Sequence, residues 1–228
     1  MKKLFFLLIA CLLTLAGCNK QETPVFSGVE AGTIDSGIFT SDSGTKMYVT
    51  GNELKYDINR SRRVVIEYET LSVSDPDHIE IDLQGLMEAI IREPSSVGEM
   101  ADQPEGSPVQ ITDAWFSGGY LNLLFSCEGK EYDKHQFSTT YLVNKDKIVI
   151  RLLHESSENV NNSIINAFLS IPMQEPELSF YQFALSLGKK DGIFPAPVLL
   201  QWTALTIEGG PLALYEMEGS YNPPASEN

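Results

Sequence analysis

Basic charge is scarce in this 228-residue chain: 16 Lys and Arg stand against 31 Asp and Glu, a formal net charge of −15. A surface this acidic repels phosphate backbones and excludes nucleic acid as a partner. It also weakens any electrostatic pull toward anionic lipid. Cysteine is scarcer, with Cys11, Cys18 and Cys127 only, and histidine occurs only at His78, His135 and His154. The chain has no Gly-x-Ser-x-Gly elbow, no His-Glu-x-x-His pair and no Gly-rich phosphate loop. The enzyme classes that those motifs mark therefore gain no support. No apolar run reaches the ~20 residues that a spanning helix needs.

The N-terminus carries the sharpest signal. Met1-Lys2-Lys3 precedes an apolar run from Leu4 to Leu15, closed by Leu15-Ala16-Gly17-Cys18. A positive start, a short greasy middle and small residues at the cut make a secretory signal, residues 1–17. The Leu-Ala-Gly-Cys ending is that of a bacterial lipobox, in which the Cys thiol takes a diacylglycerol and the amine freed by cleavage is acylated. Cys18 is thus the expected lipid attachment, and multiple acyl chains hold a bilayer where a single chain holds only marginally. Cleavage would leave Cys18 to Asn228, 211 residues, and losing Lys2 and Lys3 would take the charge from −15 to −17. Asn19, where an Asp would favour inner-membrane retention, leans toward the outer membrane. Lys20 and Glu22 offset each other, so the cell surface and the periplasmic face both stay open. With Cys11 removed and Cys18 acylated, Cys127 is the sole thiol, which excludes an intrachain disulfide and a Cys-based metal cluster.

Beyond a lipidated tether at 18–27, the pattern is β throughout. Arg63 to Glu69 puts Val64, Ile66 and Tyr68 on one face and Glu67 and Glu69 on the other, the period of two that a half-buried strand requires. Five or so short strands over residues 28–93 suggest a small barrel. Leu86 to Ile91 reads as its last strand or as a short helix. Residues 94–108, rich in Pro, Ser and Gly, read as an interdomain linker. Residues 109–218 hold about seven strands and fit a sandwich. Leu121, Leu123, Phe125 and Cys127 share one face there, and Asn144-Lys145-Asp146 marks a hairpin. Ser163 to Ile171 reads as a strand stopped by Pro172, Gln174 to Leu187 as the non-strand piece, and 219–228 as a flexible tail.

Candidate chemistry is thin. Asp75, Asp77, His78, Glu80 and Asp82 crowd oxygens near one turn, as a hard cation would need, but alternation sends Glu80 and Asp82 to a solvated face. Trp115, Tyr120 and Phe125 suit core and turn better than a ligand platform. Arg60, Arg62 and Arg63, the one basic cluster, read as a salt-bridged edge. His154-Glu155 reads as a surface pair, and Glu67 and Glu69 lack any sign of a sugar cleft. No catalytic, metal or cofactor residue is assigned, and no enzyme is expected.

The stretch from Ile111 to Leu123, Ile-Thr-Asp-Ala-Trp-Phe-Ser-Gly-Gly-Tyr-Leu-Asn-Leu, resembles the Asp–Trp–Gly-Gly-Tyr-Leu-Asn pattern of the NigD-like lipoproteins of Bacteroidetes-type bacteria. Arg63 to Ser72 resembles that family's third barrel strand. The resemblance implies an N-terminal OB-like barrel followed by a C-terminal β-sandwich. It also implies a non-enzymatic role tied by gene neighbourhood to bacteriocin immunity, with an envelope or extracellular protein as partner. The competing expectation is a surface protein that binds glycan through aromatic faces such as Trp115 or Trp202.

Overall fold

The computed structural model describes residues 26–75, 78–144, 147–158, 163–173, 196–207 and 210–221. The Leu15–Cys18 signal and the segment from Gln174 to Leu187 lie outside the described residues. The first unit holds β1 (Ser27–Asp35), β2 (Ile38–Ser41), β3 (Lys46–Gly51), β4 (Arg62–Asp75) and β5 (His78–Ile91). Ser36 and Gly37 both take positive φ, 51° and 77°, as a two-residue hairpin turn between β1 and β2 demands. β4 pairs with the free side of β1, and β5 returns antiparallel to β4. β5 then meets β3 in parallel and closes the ring. The circular order β1-β2-β3-β5-β4 is that of an OB-like barrel. Leu86 to Ile91 is strand. Three register shifts between β4 and β5 supply the bending that closure needs. Inside lie Ile34, Phe39, Met47, Val64, Ile66, Tyr68, Ile81 and Leu83, so the inward face read from alternation in β4 is the barrel core.

The second unit holds β6 (Ser95–Ser96), β7 (Gln110–Ser117), β8 (Tyr120–Glu128), β9 (His135–Val143), β10 (Ile148–Ser156), β11 (Ile164–Pro172), β12 (Ala196–Leu205) and β13 (Leu212–Tyr221). Two layers face each other, β11-β8-β7 and β13-β12-β10-β9-β6. Leu121, Leu123, Phe125, Ala167, Leu169 and Ile171 of the first layer meet Ile150, Leu152, Val198 and Leu200 of the second. The chain is all-β, a barrel followed by a sandwich.

Two boundaries differ from those read in the sequence. Residues 94–108 are laid along the second layer rather than strung between units. Ser95 and Ser96 pair with Thr140 and Tyr141. The Ser107 N–H donates to His154 O at 2.6 Å and the Glu105 N–H to Thr203 Oγ1 at 2.9 Å. Proline and glycine marked the absence of a regular strand, which does not prevent backbone groups from pairing one at a time. The tail also begins later than Gly219, because Gly219 to Tyr221 complete β13. The buried Tyr221 ring there donates its hydroxyl to Met173 O at 3.0 Å.

The two units share a sheet. β11 pairs in parallel with β5 through Phe168–Ala89, Leu169–Ile90 and Ser170–Ile91. One eight-stranded sheet therefore runs from the barrel into the sandwich. Beside this seam sits Arg63, salt-bridged as expected but buried rather than at an edge: it is 8% exposed. Its Nη1 and Nη2 donate to the two carboxylate oxygens of Asp42 at 2.8 Å each. Nε donates to Ser170 Oγ at 2.9 Å, and Nη2 also reaches Asn122 Oδ1 at 2.9 Å. The guanidinium lies 4.0 Å from the centroid of Tyr120. Ser117 Oγ donates to Asp42 at 2.5 Å while accepting from Asn122 Nδ2 and Trp115 Nε1. Gly118 carries φ 56°, and a Cβ there would lie 2.2 Å from Asp42 Oδ1. Glycine thus serves both the turn and the close approach. Arg60 keeps to the salt-bridged edge, paired with Glu88 in solvent, where such a pair contributes about 0–1 kcal/mol; Arg62 pairs with Asp57 and Glu88 from a largely buried side chain.

Arg63→Ala strands a buried carboxylate and a buried amide. It is expected to cost about 3–5 kcal/mol, read as a lower midpoint in urea unfolding. The double replacement Arg63→Met with Asp42→Leu is expected to cost less than Arg63→Ala alone. A loss below about 1 kcal/mol for Arg63→Ala would show that the clasp is ornamental.

Candidate functional site

Three inward-facing series in the sandwich end at one place. Leu121, Leu123 and Phe125 continue with period two to Cys127; Ile148, Ile150 and Leu152 continue to His154; Tyr141, Thr139 and Phe137 run back to His135. All belong to the interior face, so the apolar core is closed at one end by a thiol and two imidazoles. The three are buried, at 4%, 7% and 2% exposed for Cys127, His135 and His154. His135 Nδ1 lies 2.8 Å from His154 Nε2 and 3.7 Å from Cys127 Sγ. His135 Nε2 lies 3.3 Å from Glu158 Oε2. Glu158 is held in turn by the Lys130 and Glu131 N–H groups, at 2.8 and 3.1 Å. The His154 ring stacks on Phe137 at 4.8 Å between centroids.

These contacts order the protons. A carboxylate only accepts, so His135 Nε2 is the nitrogen that donates to Glu158. In the neutral ring Nδ1 then presents a lone pair toward both Cys127 Sγ and His154 Nε2. Burial, and next the neighbouring His135, hold His154 below the usual histidine pKa, against the backbone of Pro108 and Ser107. Burial, then the Glu158 charge, push the Cys127 thiol up to about 11. The N–H of Lys130, followed by His135 and the N–H of Glu131, hold Glu158 below the ordinary carboxylate range, with its partial burial opposing. His154 Nδ1 is buried without a partner of hydrogen-bond geometry. Among the described residues, Cys127, His135 and His154 are the set whose ligating atoms gather within 4.8 Å.

Two sequence readings are corrected here. His154 is not a surface residue paired with Glu155; it points inward on β10 while Glu155 points out. A single thiol also does not preclude a metal-ligating cluster once two imidazoles join it. The legible signal was the alternation itself, carried one step further along each strand. The other candidates scatter. Glu80 accepts from Ser72 Oγ at 2.8 Å and lies 3.7 Å from His78, and Asp82 accepts from Gln84. His78 tilts against Tyr48, and Asp77 lies outside the described residues. Glu67 and Glu69 point to solvent. Phe125 is core, Trp115 stacks on Phe168, and Tyr120 lies under Arg63. Beside the cluster opens a cleft of about 650 Å³, lined in part by Val109, Ile111, Cys127, Trp202 and Tyr215.

The architecture defines a two-unit class: an OB-like barrel sharing a sheet with a β-sandwich. Residues 95–180 match the family model described as the NigD-like C-terminal beta sandwich domain. This part of the chain is thus similar to the NigD-like sandwich, and the Ile111–Leu123 stretch lies within the match. Solved structures share the full layout. A NigD-like immunity protein from Bacteroides caccae is 17% identical, with a TM-score of 0.60 over 87% of this chain and 98% of that one. A DUF1344 protein of unknown function from Bacteroides vulgatus is 13% identical, with a TM-score of 0.56 over 89% and 93%. A candidate lipoprotein from Bacteroides fragilis is 15% identical, with a TM-score of 0.55 over 88% and 100%. At these identities the likeness is one of fold. A search of the curated proteins found no match.

The lowered pKa of His154 makes stability depend on pH. The unfolded ring binds a proton near pH 6.5 and the folded ring only below that. Stability is therefore expected to fall as pH drops from 7.5 through 6.5 to 5.5. His154→Gln is expected to flatten that decline in urea midpoints measured at each pH; an equally steep decline would assign it elsewhere.

Proposed function

We propose that this chain is a lipid-anchored, non-enzymatic envelope protein that captures a basic protein partner along the free edge of its sandwich. The observation that carries the reading is β13. Among the described residues it has a strand neighbour on one side only, β12. Its ten residues are exposed along most of their length, Leu212, Tyr215 and Met217 together with Glu216 and Glu218. An edge of this kind offers unpaired backbone groups to an incoming strand. The apolar side chains give that partner something to bury, and the acidic ones, in a chain of charge −15, favour a cationic partner. The Bacteroides caccae structure of the same fold is named an immunity protein, which supports a partner of the toxin kind. The Leu15–Cys18 motif supports anchoring through Cys18, with the outer membrane as the favoured site. Among the described residues no helix is long and apolar enough to cross a membrane. The non-enzymatic reading draws on the Cys127 thiol, which stays protonated at neutral pH and is no ready nucleophile.

A second reading has one observation behind it. Trp202 and Tyr215 stack at 6.0 Å and line the 650 Å³ cleft, a size that takes a small ligand such as a sugar. Trp202 itself is only 7% exposed, so a flat aromatic platform is not what the fold presents. Silence on a glycan array would retire this reading.

Photo-crosslinking in intact cells tests the first. A crosslinker at Met217 is expected to give a discrete protein adduct that one at Glu69 does not. Leu212→Lys with Met217→Lys is expected to abolish the adduct while changing stability by less than about 1 kcal/mol. Equal labelling from Glu69 would contradict the β13 assignment. Cys18→Ser is expected to move the protein from the membrane to the soluble fraction, with loss of labelling by radioactive fatty acid; continued membrane retention with labelling would overturn lipidation at Cys18.

A further inference from the structure

The cluster that closes one end of the sandwich core has the donor atoms of a binding site. It gathers one sulfur and two aromatic nitrogens from inward-facing positions on both layers, Cys127 on β8 and the histidines on the paired β9 and β10, in a chain with only three cysteines and three histidines. We propose that Cys127 Sγ, His135 Nδ1 and His154 Nε2 are ligands of a single thiophilic transition-metal ion of the zinc class, with Glu158 orienting His135. A tetrahedral zinc site, with Zn–S near ~2.3 Å and Zn–N near ~2.0–2.1 Å, sets S···N edges of about 3.6 Å and N···N edges of about 3.3 Å. The Cys127–His135 edge already stands at 3.7 Å. The His135–His154 edge, at 2.8 Å, must open by about half an ångström to match. The whole set lies within 4.8 Å.

Three further features fit an ion rather than a simple polar plug. The donor set of one thiolate and two imidazoles suits zinc or copper and is wrong for calcium or magnesium, which take oxygen ligands. Metal-bound histidines characteristically donate their other ring nitrogen to a carboxylate. Glu158 occupies that place on His135 and is itself fixed by two backbone N–H groups. His154 Nδ1 is buried with no partner of strict hydrogen-bond geometry, yet the ring interacts with the Pro108 and Ser107 backbone, so the site can hold a hydrogen on Nδ1 and leave Nε2 to an ion.

The protons balance. On binding, the Cys127 thiol releases its proton to solvent. The hydrogen on His154 Nε2 moves to Nδ1 of the same neutral ring, which leaves the Nε2 lone pair to the ion. Cys127 also lines the 650 Å³ cleft, which gives the ion a route from solvent. Three protein ligands leave a fourth position for water or for a donor atom from a partner. The proposal does not depend on β13, and either can fail alone.

The test uses the full chain carrying Cys11→Ser and Cys18→Ser, purified in detergent, so that Cys127 is the sole thiol. Titration with Co²⁺ is expected to show one ion per chain and a near-ultraviolet thiolate-to-cobalt charge-transfer band, bleached when Zn²⁺ displaces the cobalt. Adding Cys127→Ala is expected to remove the band. Glu158→Gln is expected to keep the band while weakening the affinity about 10–100-fold. No charge-transfer band from the folded, otherwise unaltered site at excess Co²⁺ would overturn the proposal, and that measurement needs no variant of the cluster. Cobalt uptake unchanged by Cys127→Ala in a protein with native circular dichroism would overturn it equally. An affinity indifferent to Glu158→Gln would remove the orienting role.

Discussion

The hydrogen-bonded clasp between Arg63 and Asp42 is the contact on which the rest of the architecture depends. A barrel of five strands and a sandwich of two layers can each fill its own interior. Nothing in either core fixes how they meet. The fold settles this with one guanidinium on the barrel strand β4 that donates both within the barrel and across the boundary. It meets Asp42 on the barrel turn and Asn122 and Ser170 on the sandwich. A buried charge is tolerable only when so completely paired, which makes the relative placement of the units nearly all-or-none. The shared sheet and the small third core of Ala31, Val65 and Phe168 then have a defined geometry to reinforce. Arg92 adds a tie where the chain leaves the barrel: its N–H donates to Ser170 O and its Nε to Phe137 O, one in each layer.

The rigid joint bears on function through what it leaves exposed. Among the described residues β7 ends the continuous sheet, and β6 and β13 end the second layer. The long edge at β13 lies at the far side of that second layer, where a partner can approach without disturbing the joint. One end of the same core is closed by Cys127, His135 and His154. A sandwich that ends in polar groups needs those groups satisfied, by each other or by an ion. The clasp, the edge and the cluster are therefore three consequences of how the inner and outer faces of the strands are allotted.

Much of this was legible in the sequence, for a physical reason. Alternation reports which face is buried, and it placed Val64, Ile66 and Tyr68, and Leu121, Leu123 and Phe125, in the two cores where they stand. It is silent when both faces are buried. Arg63 lies on the outer face of β4, and in an isolated barrel that face would be wet. Only the docking of the sandwich dries it, and that docking is carried by residues 42, 117, 122 and 170, far apart in the chain. The Ser117-Gly118-Gly119-Tyr120 stretch did stand out in sequence, as a turn within a family-like pattern. Its role in holding Asp42 required the fold. The Cys-His-His cluster was hidden for a related reason: spacings of eight and nineteen residues match no short metal motif, because two ligands come from the paired strands β9 and β10 and the third from β8 in the facing layer.

Native-state hydrogen exchange tests the central claim, that barrel and sandwich are one cooperative body. Amides at the β5–β11 seam, such as Arg92, and amides in the barrel interior, such as Ile66, are expected to exchange only through global unfolding. Their free energies of opening should match those of sandwich amides such as Ile150, and shift together with denaturant. Barrel amides that open at a distinctly lower free energy than sandwich amides, with the seam opening first, would show two independently folding units in loose contact and would contradict the account.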